Sequence, residues 1–163
     1  MISTALQQAI DALQIQDLYL RWSRSETAEG FRAMAADFSA IHVQQMQMLK
    51  KAEAFEADGE ERLLRVSMLL GARWVLPDDN NPEPSVKALI EAEFVAEYRY
   101  TPELARPALD EFAQKNVIYH VWPYWREFVS SHAERLRLPR VTLPMLQLLH
   151  HRNGAADSDV API

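Results

Sequence analysis

The chain has no cysteine. That excludes a disulfide framework, a thiolate zinc site and a cysteine nucleophile, and it suits a reducing compartment. Glycine is scarce, four in 163 residues, and none falls in a loop that could cradle a phosphate. Basic residues are outnumbered, 17 Lys and Arg against 23 Asp and Glu, for a net charge of -6. The phosphate backbone of nucleic acid is therefore excluded as a general partner, whereas a basic protein surface suits such a field. No run approaches the roughly 18 apolar residues of a membrane span. The N-terminal MISTALQQAIDALQIQ also lacks the basic start and apolar stretch of a signal peptide. The expectation is a soluble, cytoplasmic protein without membrane insertion.

What is present is an ordinary globular balance, 48% hydrophobic and 25% charged. The length suits one domain, expected over residues 1–152, with RNGAADSDVAPI leaving 153–163 as a disordered tail. Residues 3–12 predict a short helix capped by Ser3 or Thr4, frayed at a free terminus. Over 13–25 the residues alternate, with Leu18, Leu20 and Trp22 on one side and Asp17, Tyr19 and Arg21 on the other, which predicts a strand. Residues 31–50 fit either a second strand with a bulge near Gln44-Gln45 or a helix. EADGEE at 56–61 is a turn into a third strand over 62–76. PDDNNPEP at 77–84 predicts a loop. In 86–100, Glu91, Glu93, Val95, Glu97 and Arg99 alternate with Ala92, Phe94, Ala96, Tyr98 and Tyr100, a fourth strand.

Helical spacing takes over from Thr101. Thr101-Pro102-Glu103 and Pro107 both offer helix starts, and Leu109, Phe112 and Ala113 give a buried stripe. A second helix is expected to begin at Pro123, with Val121, Trp125, Phe128, Val129, His132, Ala133 and Leu136 recurring at three and four residues. Pro139 ends it, 140–145 is extended, and 146–151 suits one more helical turn. Strands first and helices last predict an α+β fold, a four-stranded antiparallel sheet followed by C-terminal helices packed on one face.

The heptad WPYWREF, 122–128, concentrates rigid aromatic surface in one place. On a helix Trp122, Trp125 and Val129 share a face while Tyr124 and Phe128 take another, so these rings are either core or the lining of a groove. The methionines, Met46 and Met48 among them, pose the same choice: core filling, or a flexible surface that accepts many sequences. Ile41 and Val43 share their strand and the same choice. Metal chemistry is not expected, since His150 and His151 are adjacent, His120 and His132 lie twelve apart, and no His-x-x-x-His pair exists. No Ser-His-Asp order or paired-carboxylate motif points to catalysis. No cofactor and no enzymatic activity are expected.

The stretch WPYWREFVSSHAERLRLPRVTL, 122–143, resembles the C-terminal half of the bacterial export chaperone SecB. That family carries an aromatic-Pro-Tyr-x-Arg-Glu run, matched by Trp122, Pro123, Tyr124, Arg126 and Glu127. Arg135, Leu138 and Pro139 match its second motif, and Val141 and Leu143 its close. IQDLYLRW (15–22) and LLRVSMLLGA (63–72) resemble its first and third strands. The family usually places a glycine where Leu136-Arg137 stand here.

The resemblance implies a chaperone that holds unfolded or preprotein chains in an extended hydrophobic groove, for protein export. It implies a homotetramer built as a dimer of dimers. The implied groove residues are Ile41, Val43, Met46, Met48, Trp122, Tyr124, Trp125, Phe128 and Leu138. Contact with the translocation motor SecA would fall to Glu26 and Glu93, because Trp22 occupies a position where the family has an acid. The alternative is a dedicated single-client SecB-like chaperone of a toxin–antitoxin or phage system. A small-molecule carrier with a closed aromatic cavity is a third reading.

Overall fold

Large side chains facing alanines across two neighbouring strands build the centre of the protein. The computed structural model describes residues 2–143 and 146. Helix α1 (Thr4–Ala12) leads into strands β1 (Gln14–Thr27), β2 (His42–Glu56), β3 (Arg62–Asp78) and β4 (Asn81–Tyr100). Helices α2 (Arg106–Lys115) and α3 (Val117–Arg135) follow. The strands form one antiparallel sheet in the order β1-β4-β3-β2, so β1 and β2 are its edges. This is the expected α+β arrangement, with α2 and α3 packed on one face of the sheet.

On that covered face Trp74 lies opposite Ala88, Leu70 opposite Ala92 and Val66 opposite Ala96, all buried. The alternation of bulk leaves furrows into which helix side chains insert. Val117, Val121, Trp125 and Val129 recur every four residues along α3 and are buried. Phe128 meets Phe94 edge-on at 6.0 Å and stacks on Trp125 at 6.2 Å, and Phe112 of α2 meets Tyr98 edge-on at 5.0 Å. Aromatic pairs in these geometries add to their burial energy.

Several local expectations change. α1 is anchored rather than frayed: Leu6 and Ala9 are buried, and the Ser3 hydroxyl donates to Glu111 of α2 at 2.6 Å. The 28–41 crossover holds two short 3-10 turns, Ala33–Ala35 and Phe38–Ala40, so the helical reading of 31–50 is wrong and the strand reading right. The register shift of β2 falls between Leu49 and Lys51, not at Gln44-Gln45. PDDNNPEP is a hairpin in which only Asp79 and Asn80 lie outside the strands, tightened by Asn80 N–H donating to the Asp78 carboxylate at 2.9 Å. α2 uses the Pro107 start and not Thr101. α3 begins at Val117, and Pro123 lies inside it on the exposed side, where the lost backbone donor leaves the rest of the helix continuous. The expected turn at 146–151 and the tail at 153–163 lie outside the described residues, apart from Leu146.

Candidate polypeptide-binding surface

The nine residues implied for a groove divide sharply. Trp122, Trp125, Phe128 and Leu138 are buried in the core of the single chain, Trp125 to 1% exposure. In this conformation they are packed beneath α3 and the turn after it, not open to a client. Phe128, on another face of the helix than Trp122, Trp125 and Val129, is met by Phe94 of β4, and so it is core as well. Tyr124 is 52% exposed. Ile41 is half-buried and borders a cavity of about 670 Å³ under the crossover, with Phe31, Leu76 and Lys87 on its other sides. Val43, Met46 and Met48 are exposed.

The accessible apolar surface therefore lies on the edge strands rather than on the aromatic helix. The reason is width. The helices cover β3 and β4, while β1 and β2 extend past them. Ile15 and Leu20 on β1 and Val43 on β2 belong to the covered face by register but remain exposed. On the open face, Met46, Met48 and Phe55 of β2 are exposed as well.

Gly71 shapes this open face. It sits in the middle of β3 between Met46 of β2 and Glu91 of β4. A Cβ there would stand 3.3 Å from the Met46 methyl and 3.4 Å from Cγ of Glu91. Its missing side chain leaves a recess of about 480 Å³ bordered by Met46, Val86, Leu89, Gln44, Arg73 and Glu91. Sequence reading missed Gly71, although a glycine inside a strand pattern is a known sign of a close approach.

The two edges differ in regularity. β1 shifts register between Ile15 and Asp17 and again between Leu20 and Trp22. β2 keeps one register from His42 to Leu49 before its single shift, after which Arg106 donates to the Ala52 carbonyl at 3.4 Å and covers the edge. An unbroken run of outward N–H and C=O groups is what strand addition needs; bulges and covering groups prevent it. Among the described residues, the regular stretch left uncovered is thus His42–Leu49, with Val43, Met46 and Met48 on it.

The second bulge of β1 also decides the acidic residues. It turns Trp22 onto the open face beside Glu93, against the strict alternation expected with Leu18 and Leu20. Trp22 Nε1 donates to Glu93 at 2.6 Å and Arg21 reaches both carboxylate oxygens at 3.1 Å. Glu93 is 4% exposed. It is a structural acid of the sheet, with its lone pairs already used. Glu26 is exposed and bonded to Arg24. Glu97 pairs with Arg65 at 2.6 Å, and Lys51 with Glu53, so most charge on the open face is neutralised locally.

His120 and His132 serve packing. Burial pushes the His120 imidazole below its ordinary value, and its Nδ1 lies 2.8 Å from the Tyr98 hydroxyl. Desolvation holds that hydroxyl well above the usual tyrosine range. His132 stacks on Phe128 at 3.8 Å, with its Nδ1 2.8 Å from the Phe128 carbonyl. Among the described residues no group of three or more His, Asp or Glu is placed to hold a metal ion, and no helix is long and apolar enough to cross a membrane.

No protein-family model and no curated protein sequence matches the chain. Among solved structures it is similar to a Mycobacterium tuberculosis SecB-like chaperone in complex with a ChAD peptide from the HigA1 antitoxin. The TM-score is 0.62 at 20% identity, covering 90% of this chain and 99% of that one. A Streptococcus agalactiae protein of unknown function matches at a TM-score of 0.39 and 11% identity, over 82% of this chain and 99% of that one, a likeness that carries no argument. The fold is SecB-like.

Proposed function

We propose that this SecB-like chain is a holding chaperone that binds extended polypeptide along β2 and performs no bond chemistry. The observation that carries the reading is the regular edge from His42 to Leu49, with exposed Val43 on one face and exposed Met46 and Met48 on the other, Met46 bordering the recess at Gly71. Unfolded chains present unpaired backbone and apolar side chains together. A strand edge flanked by flexible thioethers answers both needs without demanding one sequence. One such site is weak, and several subunits engaging one client would gain avidity. Self-association fits the exposed Ile15 and Leu20 of β1, and the dimer of dimers implied by the family resemblance is the assembly we expect in the cytoplasm.

The test is suppression of aggregation. Purified protein should delay aggregation of several unrelated unfolded proteins, and Met46→Glu with Met48→Glu should abolish that effect while the melting temperature holds. Protection of none of them overturns the general reading. A dedicated, single-client role is the second reading, favoured by the antitoxin peptide carried by the mycobacterial neighbour; it predicts protection of one partner alone. Delivery to a SecA-type motor is a separate proposal. It rests on Glu26, because Glu93 is enclosed, and undiminished affinity for the motor after Glu26→Lys would end it.

A further inference from the structure

The C-terminal end of α3 concentrates positive charge in a chain of net charge -6. Three shallow troughs meet there. One, of about 380 Å³, is bordered by Met34, Ser130, Glu134, Arg137, Leu138 and Arg140. It shares Ser130 and Arg140 with a second of about 470 Å³, which adds Arg126 and Glu127. It shares Glu134 and Arg137 with a third of about 500 Å³, which adds Ser131 and Arg135. Four arginines against two glutamates leave this end with a charge of +2.

Among the described residues those arginines, Arg126, Arg135, Arg137 and Arg140, form no ion pair. Arg135 donates to the carbonyl and hydroxyl of Ser131. Met34 stands over the same ground from the crossover, 83% exposed.

Arg137 adds an independent observation. It has φ 59, the one non-glycine residue with positive φ among the described residues. The turn is a Schellman cap: Leu136 N–H donates to His132 at 3.0 Å, Arg137 to Glu134 at 3.0 Å and Leu138 to Ala133 at 2.9 Å. Glycine is the ordinary occupant of that position, since a Cβ is disfavoured in the left-handed region. A long cationic side chain held there against local preference points to work done by its guanidinium.

We propose that these troughs form a second binding site, for an acidic stretch of polypeptide carrying one apolar anchor. Exposed Met34 would receive the anchor, while Arg137 and Arg140 take carboxylates in charge-assisted hydrogen bonds. The site rests on the chaperone reading and deepens it: β2 would hold backbone and apolar side chains of any client, and this end would favour acidic ones.

The experiment uses the full chain and three short fluorescein-labelled peptides, each with one leucine flanked by glutamates, by glutamines or by lysines. Anisotropy at low salt should give the glutamate peptide about tenfold tighter binding than the glutamine peptide, the combined effect of two exposed charge pairs, and salt should erode the difference. Arg137→Gly with Arg140→Gln should remove the preference and leave the glutamine peptide unaffected; the glycine also suits the cap, so this variant folds. Equal binding of all three peptides, or a preference that survives the double variant, overturns the acidic site but not the chaperone. Binding of none of the three also overturns the acidic site, while the chaperone reading stands or falls on the aggregation test.

Discussion

Trp125 and Tyr124 are neighbours in sequence and opposites in structure, and their truncation should separate fold from function. Trp125 is 1% exposed, stacked on Phe128 and set against the central strands; Tyr124 is 52% exposed. A buried tryptophan removes about 150–250 Å² from water. At about 25 cal/mol per Å² that is worth roughly 4–6 kcal/mol, less what alanine retains, plus a cavity term. Large-to-small changes of this kind are observed at about 3–5 kcal/mol, so Trp125→Ala should cost about 4 kcal/mol. For a chain of this size each kcal/mol moves the melting temperature by about 2–4 °C, so the fall should be roughly 8–16 °C. Urea unfolding is the better assay, because a shifted midpoint at constant slope isolates stability from a change in the surface exposed. Tyr124→Ala should shift the midpoint by less than about 0.5 kcal/mol. A loss below about 1 kcal/mol for Trp125→Ala would refute the packing described, and would return the aromatic heptad to the role of an accessible groove.

Three other outcomes are expected. Glu93→Ala removes the carboxylate that accepts from Arg21 and Trp22, both able to rehydrate, and should lower stability by about 1–2 kcal/mol in urea unfolding. Gly71→Leu fills the recess beside Met46 and should weaken binding of an unfolded client severalfold in a titration, with little change in the melting temperature since the Met46 methyl can move aside. Acid should destabilise the fold through His120: burial holds its folded value below the ordinary imidazole value of about 6.5, so the unfolded chain takes up the proton first and stability falls as pH drops below about 6.5. His120→Gln should flatten that slope in unfolding measured between about pH 5 and 7.5.

The alternation in β4 was legible because nothing interrupts it. Glu91 to Arg99 and Ala92 to Tyr100 fall on the faces that period two assigns. β1 obeys the same rule only between its bulges, and one extra residue at Arg21 sends Trp22 to the face opposite Leu20. A bulge is an event of pairing with β4, so no pattern within β1 could reveal it. Pro123 misled in the opposite direction. Proline favours a helix start, but its side chain here faces away from the sheet, and buried residues on both sides of it hold the helix through the missing bond. PDDNNPEP has the composition of a loop and the geometry of a hairpin, because Pro82 and Pro84 lie at the far end of β4, beyond the part that pairs with β1. The heptad posed the deepest ambiguity. Helical spacing cannot say how wide a sheet lies beneath, and that width decided that Trp122, Trp125 and Phe128 are core; Met46 and Met48 are surface because they stand on the face the helices leave open.

A surface that holds unfolded chains must be greasy enough to compete with aggregation and guarded enough not to join it. β2 meets both conditions within one strand. Its first half, His42 to Leu49, offers a straight edge with glutamines between Val43, Met46 and Met48, so apolar contact is available without a continuous apolar run. Its second half shuts that edge. Lys50 is the extra residue of the bulge, Lys51 pairs with Glu53, the Arg65 guanidinium lies 4.9 Å above the Phe55 ring, and Arg106 occupies the Ala52 carbonyl. Bulges and lysines are the devices that stop one sheet edge from adding to another. A second copy approaching along the whole of β2 would meet them; a loose polypeptide needs only the open half. On the proposed reading, the strand admits a short extended segment and refuses a sheet.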